Sequence, residues 1–190
     1  MRIMIYGDGN SFGKTLDNKR MNIADTWPAI LQKNLPEHTI INESLPGRIT
    51  GSFDNLEKYK NGKEHFLAIY KSHEPIDMVI ISLGSNDFHN KYKRSSLEIY
   101  NDLAWYKNTL MDHGNPRILY IFPILFIPDE DNYKPEALQV RDTLRNLINQ
   151  NNLGMILDPG ALSLLANGLN LDLEGHQKMA QLVYKVIMEV

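Results

Sequence analysis

Short apolar runs alternate with longer amphipathic segments along this chain. The short runs are rich in β-branched or aromatic residues and are bounded by polar residues, glycine or proline, a pattern typical of buried strands. Five runs predict strands at residues 3–6, 39–42, 78–83, 118–122 and 155–157. Apolar residues at helical spacing predict helices at 27–35, 64–72, 97–111, 135–149 and 174–188. In the third helix, the spacing predicts a buried stripe of Leu97, Tyr100, Leu103, Ala104 and Leu110.

The alternation of these elements predicts the fold class. Strands that are apolar almost throughout are buried on both faces, which favours a parallel sheet covered by helices on both sides. Right-handed crossovers then give an α/β fold, a flavodoxin-like three-layer α/β/α sandwich with a five-stranded parallel sheet. No repeat or linker interrupts the pattern, so we expect residues 1–190 to form a single domain.

Ligands of such sheets bind at the carboxyl ends of the strands. Gly7, Gly84 and Pro123 each follow a predicted strand. The segment 127–134 is polar and bounded by prolines, so we expect it to form a mobile flap over the site. Pro123, Ile124 and Phe126 are candidates for an apolar acyl pocket.

Composition excludes several classes of function. The net charge of −3 gives no basic footprint for nucleic acid, and we interpret the cluster Lys91-Tyr92-Lys93-Arg94 as a solvated loop. The chain has no cysteine, which excludes disulfides, thiol nucleophiles and zinc–thiolate sites. The histidines form no ligand pattern, so we expect no metal and no cofactor.

Hydropathy indicates a protein without a membrane span. No apolar run approaches the length that crosses a bilayer. The first apolar run is too short for the core of a signal peptide. We therefore expect a cytoplasmic protein.

The first strand runs into Gly7-Asp8-Gly9-Asn10-Ser11-Phe12-Gly13, where glycines permit tight turns. A dinucleotide fingerprint needs glycines at its first, third and sixth positions, and here the sixth position is Phe12. Glu43 could take the part of the acidic residue that binds ribose in such folds. A nucleotide-binding module is therefore one alternative.

Four blocks together give a second interpretation: Gly7 to Gly13, Leu45-Pro46-Gly47-Arg48, Gly84-Ser85-Asn86-Asp87, and Asn167-Gly168-Leu169-Asn170-Leu171-Asp172-Leu173-Glu174-Gly175-His176. In order and spacing they resemble the SGNH (GDSL-type) hydrolase family, and the run around Gly47 is similar to its arylesterase-like branch. The resemblance implies the SGNH hydrolase fold. It also allows a homo-oligomer.

The resemblance places the catalytic triad at three substituted positions. Gly9 stands where the family has its serine nucleophile, and a glycine has no side chain to attack an acyl carbon. Asn167 and Asn170 stand at the aspartate and histidine positions. Neutral carboxamides take up no proton near pH 7, so neither can act as a general base.

The resemblance also implies an intact oxyanion hole. Gly47 matches the glycine whose N–H contributes to it, and Asn86 matches the asparagine whose amide completes it. Asp8 and Asn10 flank the nucleophile position. We therefore expect a protein that lacks ester hydrolase activity and binds an acyl, acetyl or carboxylate ligand in the cleft that holds the active site in the family.

A working esterase with relocated residues is the other alternative. Ser11 would be its nucleophile, with His89 or His176 as the base. Within the last block, however, the register places Asp172 and His176 in structural positions.

Overall fold

The computed structural model describes residues 1–53, 57–129 and 131–189. All pairings within its sheet are parallel, and the strand order is β2-β1-β3-β4-β5. This is the flavodoxin-like order, so the predicted fold class is confirmed. The strands are β1 (Arg2–Gly7), β2 (Thr39–Asn42), β3 (Met78–Ser82), β4 (Arg117–Ile121) and β5 (Met155–Leu157).

Helices cover both faces of the sheet. They are α1 (Gly9–Phe12), α2 (Trp27–Asn34), α3 (Gly62–His73), α4 (Ser96–Met111), α5 (Glu136–Gln150) and α6 (Leu173–Met188). Alternate side chains of β1 serve the two faces: Ile3 and Ile5 pack with residues of α2 and α6, whereas Met4 and Tyr6 pack with residues of α3, α4 and α5. The result is the predicted three-layer sandwich.

The ends of the predicted strands and longer helices differ from the observed ones by at most two residues. The prediction of which side chains are buried was less accurate in α4. Leu97 was predicted on the buried stripe, but it is 56% exposed. The stripe consists instead of Ile99, Asp102, Leu103, Tyr106 and Leu110. A polar residue lies within it because Asp102 pairs with Lys63 and Arg94, and apolar spacing alone does not reveal such a face.

The burial of Arg94 contradicts another prediction. It belongs to the basic cluster interpreted as a solvated loop, yet its side chain is only 10% exposed. Its Nη1 donates to Asp87 Oδ1 over 2.9 Å, and its Nη2 bonds to Asp102. A buried cation therefore links the loop after β3 to α4.

In the described parts of the chain, no helix has both the length and the apolar character needed to cross a membrane.

Candidate active site

A cleft opens at the carboxyl edge of the sheet, between the residues that follow β1 and β3. Gly7 at the end of β1 pairs with Ser82 at the end of β3, so the segments after both strands begin side by side. This is the switch point at which flavodoxin-like sheets bind ligands. The cleft has a volume of about 70 Å³ and is lined by Asp8, Gly9, Asn10, Lys14, Gly47, Ser85, Asn86, Ile124, Phe126, Tyr133, Leu169 and Asn170.

Gly9 leaves room where a side chain could stand. It begins the short helix α1, and its φ angle lies outside the left-handed region. A Cβ at this position would lie 3.4 Å from Asn170 Nδ2 and 3.4 Å from Lys14 Cβ. These contacts are close to ordinary van der Waals distances, so the backbone of residue 9 accepts a small side chain.

Asp8 caps α1 and is buried. Its Oδ1 accepts a hydrogen bond from the Asn10 N–H over 3.0 Å, and the residue is only 2% exposed. Burial raises the pKa of the Asp8 carboxyl to about 6, because removal from water disfavours the charged form more than the nearby donors favour it. This carboxyl therefore exchanges its proton in mildly acidic solution.

The structure brings the two oxyanion candidates to the same cleft. Gly47 adopts a φ angle of 78°, a conformation that favours glycine. A hydrogen bond of 3.0 Å from Asn86 Nδ2 to the Arg48 carbonyl orients the Asn86 amide. The same nitrogen makes a longer contact of 3.4 Å with Asp8 Oδ2. Neighbouring backbone thus holds the amide in place before any ligand arrives.

The last block folds into a turn that holds two carboxamides together. Asn167 Oδ1 accepts hydrogen bonds from the N–H groups of Leu169 and Asn170, both at 3.1 Å. Asn167 Nδ2 therefore faces away from this turn and donates to Asn170 Oδ1 over 2.9 Å. That bond leaves Asn170 Nδ2 on the side of Gly9. Asn170 therefore lies between Gly9 and Asn167, in the order of nucleophile, base and acid that the resemblance assigns to these positions.

Asn10 fastens this turn to the first block. Its Nδ2 donates to the Leu169 carbonyl over 3.2 Å, and its Oδ1 accepts from the Leu171 N–H over 2.9 Å. Both ends of the amide are therefore bonded to the same loop. Asn10 positions the cleft wall rather than presenting a free group to a ligand.

The residues proposed for relocated chemistry are not brought together. Ser11 is fully buried, and its hydroxyl donates to Ser82 Oγ over 3.0 Å. His89 lies outside the cleft lining, where it packs on Tyr92 and Tyr133. Its Nδ1 accepts from the Lys91 N–H over 3.2 Å. The geometry gives no support to a nucleophile at Ser11.

His176 lies in a structural position. It is 1% exposed, and its Nδ1 accepts a hydrogen bond from the Trp27 N–H over 3.1 Å, which joins α6 to the start of α2. Burial lowers the pKa of His176 to about 4. Asp172 caps α6 by accepting from the Gly175 N–H over 2.8 Å. Both residues occupy the structural roles that their register predicted.

The Trp27–His176 contact predicts a loss of stability in acid. Because the folded-state pKa of His176 is about 4 and the ordinary value is 6.5, the unfolded chain binds a proton that the folded chain excludes. This group should therefore cost up to about 3 kcal/mol of unfolding free energy as the pH falls from 6.5 to 4. His176→Gln keeps an acceptor for Trp27 but does not titrate.

Urea unfolding of wild type and His176→Gln between pH 7 and pH 4 measures the effect. The wild type should lose more stability than the variant over this range. Buried carboxyls such as Asp8 titrate in both proteins and largely cancel in the comparison. A difference that stays constant with pH would contradict a buried, neutral His176.

The geometry also gives little support to nucleotide binding. Helix α1 has only four residues, and the Asp8 carboxylate already caps its first turn. An anionic cap disfavours a phosphate at the same place. Glu43, the candidate ribose ligand, is paired with His73 at 2.7 Å.

The apolar side of the cleft was predicted in part. Ile124 and Phe126 line it, whereas Pro123 is not among the lining residues. The segment 127–134 contributes Tyr133 to the wall and is tied to the last block by the Ile127 N–H, which donates to the Gly168 carbonyl over 2.9 Å. Glu130 lies outside the described residues, and the mobility of the segment stays a prediction.

Sequence reasoning missed Lys14. It follows the first block directly and no motif marks it, but its Cβ and Cδ would lie 3.4 and 3.5 Å from a Cβ at Gly9. Its stem thus packs beside Gly9. The only local signal was its place one residue after Gly13.

No family model matches this sequence, and no curated protein matches it. Solved structures do match over nearly the whole chain. A carbohydrate acetylesterase family member from Sinorhizobium meliloti is 22% identical with a TM-score of 0.87, over 99% of this chain and 97% of that chain. The chain has the SGNH hydrolase fold.

Two further structures with the SGNH fold agree. The native M. smegmatis aryl esterase is 20% identical with a TM-score of 0.86, over 99% of this chain and 98% of that chain. A putative arylesterase from Agrobacterium tumefaciens str. C58 is 18% identical with a TM-score of 0.86, over 100% and 99% of the two chains. The expectation of an SGNH fold from the four blocks is confirmed.

Proposed function

We propose that this protein binds a small acyl or carboxylate ligand in the cleft and does not hydrolyse esters through a serine triad. The observation that carries the proposal is the contact of Asn170 with both Gly9 and Asn167 beside the cleft. The resemblance assigns the nucleophile, the base and the acid of the triad to these three positions, and none of the residues present can supply that chemistry.

The binding half of an esterase site is retained. Gly47 and Asn86 share the cleft, and the Asn86 amide is held by the Arg48 carbonyl. Donors fixed in this way stabilise oxygen that carries negative charge. The apolar side chains of Ile124 and Phe126 form another wall. A volume of about 70 Å³ suits a short acyl chain.

Two measurements on the wild type test this proposal. We expect p-nitrophenyl acetate to be hydrolysed far below the kcat/KM of about 10⁴ M⁻¹s⁻¹ at the lower end for enzymes. We also expect saturable binding of small acyl compounds, followed by amide chemical shifts at Gly47 and Asn86 in NMR titrations. Asn86→Ala should weaken this binding by up to about tenfold, since it removes one hydrogen-bond donor.

Asn101→Ala is the matched control, because Asn101 is exposed on α4 away from the cleft lining. It should bind as the wild type does. Turnover at rates typical of enzymes, or binding that Asn86→Ala and Asn101→Ala affect equally, would contradict the proposal.

A further inference from the structure

Residue 170 presents a hydrogen-bond donor to the cleft, where a catalytic base would present an acceptor. A catalytic base must present an acceptor toward the nucleophile. Here the two backbone donors on Asn167 Oδ1 fix the Asn167 amide, and its Nδ2 in turn fixes Asn170 Oδ1. The group that faces Gly9 is therefore the Asn170 Nδ2 donor, 3.4 Å from the position of a Cβ there.

Lys14, a cationic residue, also lines the cleft beside Gly9. Its backbone is held by a hydrogen bond of 2.9 Å from the Lys14 N–H to the Gly9 carbonyl. Its aliphatic stem lies against Gly9, in space that a larger residue at position 9 would restrict. The Lys14 stem can therefore lie at this place because residue 9 is a glycine.

We infer that the cleft selects a short-chain carboxylate over the corresponding neutral acyl compound, with Asn170 Nδ2 and the Lys14 ammonium binding the second carboxylate oxygen. The inference rests on the proposed function and names its ligand class. The first oxygen would lie at the Gly47 and Asn86 donors. The short chain would lie against Ile124 and Phe126.

The Asn86 donor needed for this pose can be released from Asp8 at little cost. The Asn86 contact with Asp8 Oδ2, at 3.4 Å, is at the long end for a hydrogen bond, so a ligand oxygen can replace it. An ionised Asp8 would repel a carboxylate there, so the ligand binds with the Asp8 carboxyl protonated, the form that burial favours. The contact with the Arg48 carbonyl, at 3.0 Å, still orients the amide. The other oxygen of Asp8 stays bonded to the Asn10 N–H.

A carboxylate suits this set of groups better than an ester or an amide does. A carboxylate accepts hydrogen bonds at both oxygens, and bonds from a charged donor are about twice as strong as neutral ones. The NH₂ of a primary amide would instead face a donor and a cation. The cleft therefore discriminates by charge and by the direction of the hydrogen bond.

Propionate and propionamide test the inference, because they have nearly the same shape and differ in charge. Binding is measured by NMR titration at pH 5.5, where an Asp8 carboxyl with a pKa of about 6 is mostly protonated. We expect propionate to bind about tenfold or more tightly than propionamide, and Lys14→Met to remove most of that preference.

Asn170→Asp is the sharper variant. It keeps an oxygen for the Asn167 Nδ2 bond but presents an acceptor toward Gly9. It should weaken propionate about tenfold or more and shift the preference toward propionamide, whose NH₂ can donate to the new carboxylate. Lys33→Met and Asn101→Asp, at exposed positions on α2 and α4, are the controls and should leave both affinities unchanged.

The outcomes separate this inference from the proposed function. If both compounds bind equally well, or if Lys14→Met and Asn170→Asp behave as their controls do, the cleft binds acyl compounds but the carboxylate selection is wrong. If no small acyl compound or carboxylate binds saturably to the folded wild type, the proposed function itself is wrong.

Discussion

The triple variant Gly9→Ser, Asn167→Asp, Asn170→His should hydrolyse p-nitrophenyl acetate roughly a thousandfold or more faster than the wild type, since triad residues together contribute about 10⁶ in the best-studied case. The reason is geometric. A Cβ at Gly9 meets Asn170 Nδ2 and Lys14 Cβ at 3.4 Å, so a serine fits with a small adjustment. The Asn167–Asn170 bond of 2.9 Å already has the separation of an aspartate–histidine contact.

Partial variants provide the control. The double variant Asn167→Asp, Asn170→His keeps Gly9 and should stay as inactive as the wild type. Gly9→Ser alone should also gain little, because Asn170 cannot accept the serine proton. Steady-state kinetics on folded proteins, checked by circular dichroism, measure these rates. A folded triple variant without any gain would show that the three positions are not a lost triad.

The sequence revealed much of this site because its motifs lie where the sheet topology brings them together. Gly9 follows β1, Asn86 follows β3, and parallel neighbouring strands end at the same edge. The spacing within the last block gave the Asn167–Asn170 contact. Motif spacing and strand topology are therefore enough to place residues that directly follow a strand or lie within one turn.

Contacts between residues far apart in the sequence were harder to predict. The bonds of Asn10 to Leu169 and Leu171, and that of Trp27 to His176, join segments that have no shared local pattern. Lys14 was missed because its importance depends on the absence of a side chain at Gly9. These interactions depend on how the loops pack, which hydrophobic periodicity does not encode.

The buried charges behind Asn86 were also missed, because a pattern of apolar residues treats a charged side chain as exposed. Asp87 is fully buried as a side chain and accepts hydrogen bonds from the Thr50 N–H and Oγ1 at 2.9 and 2.7 Å. Arg94 lies between Asp87 and Asp102. The three charged groups therefore connect the loop of the oxyanion candidate to α4.

Arg94→Met should lower the free energy of unfolding by about 3 kcal/mol at pH 7.5, within the range of about 3–5 kcal/mol for breaking a buried ion pair. The variant leaves Asp87 and Asp102 near each other without the cation between them, although Lys63 still pairs with Asp102. Urea unfolding measures the change. Lys93→Met is the matched control, since Lys93 is exposed next to Arg94 and should change stability little.

The pH dependence distinguishes lost charge pairing from lost packing. Burial raises the pKa of Asp87 to about 6 even with Arg94 present, so its carboxylate costs stability at neutral pH and this cost falls as the carboxyl is protonated. Without Arg94 the pKa of Asp87 should rise further. The deficit of Arg94→Met should therefore be largest above pH 7 and smaller at pH 5, and Asp87→Asn should reduce it at neutral pH. An equal deficit at both pH values would mean that the methylenes of Arg94, and not its charge, stabilise the loop that carries Asn86.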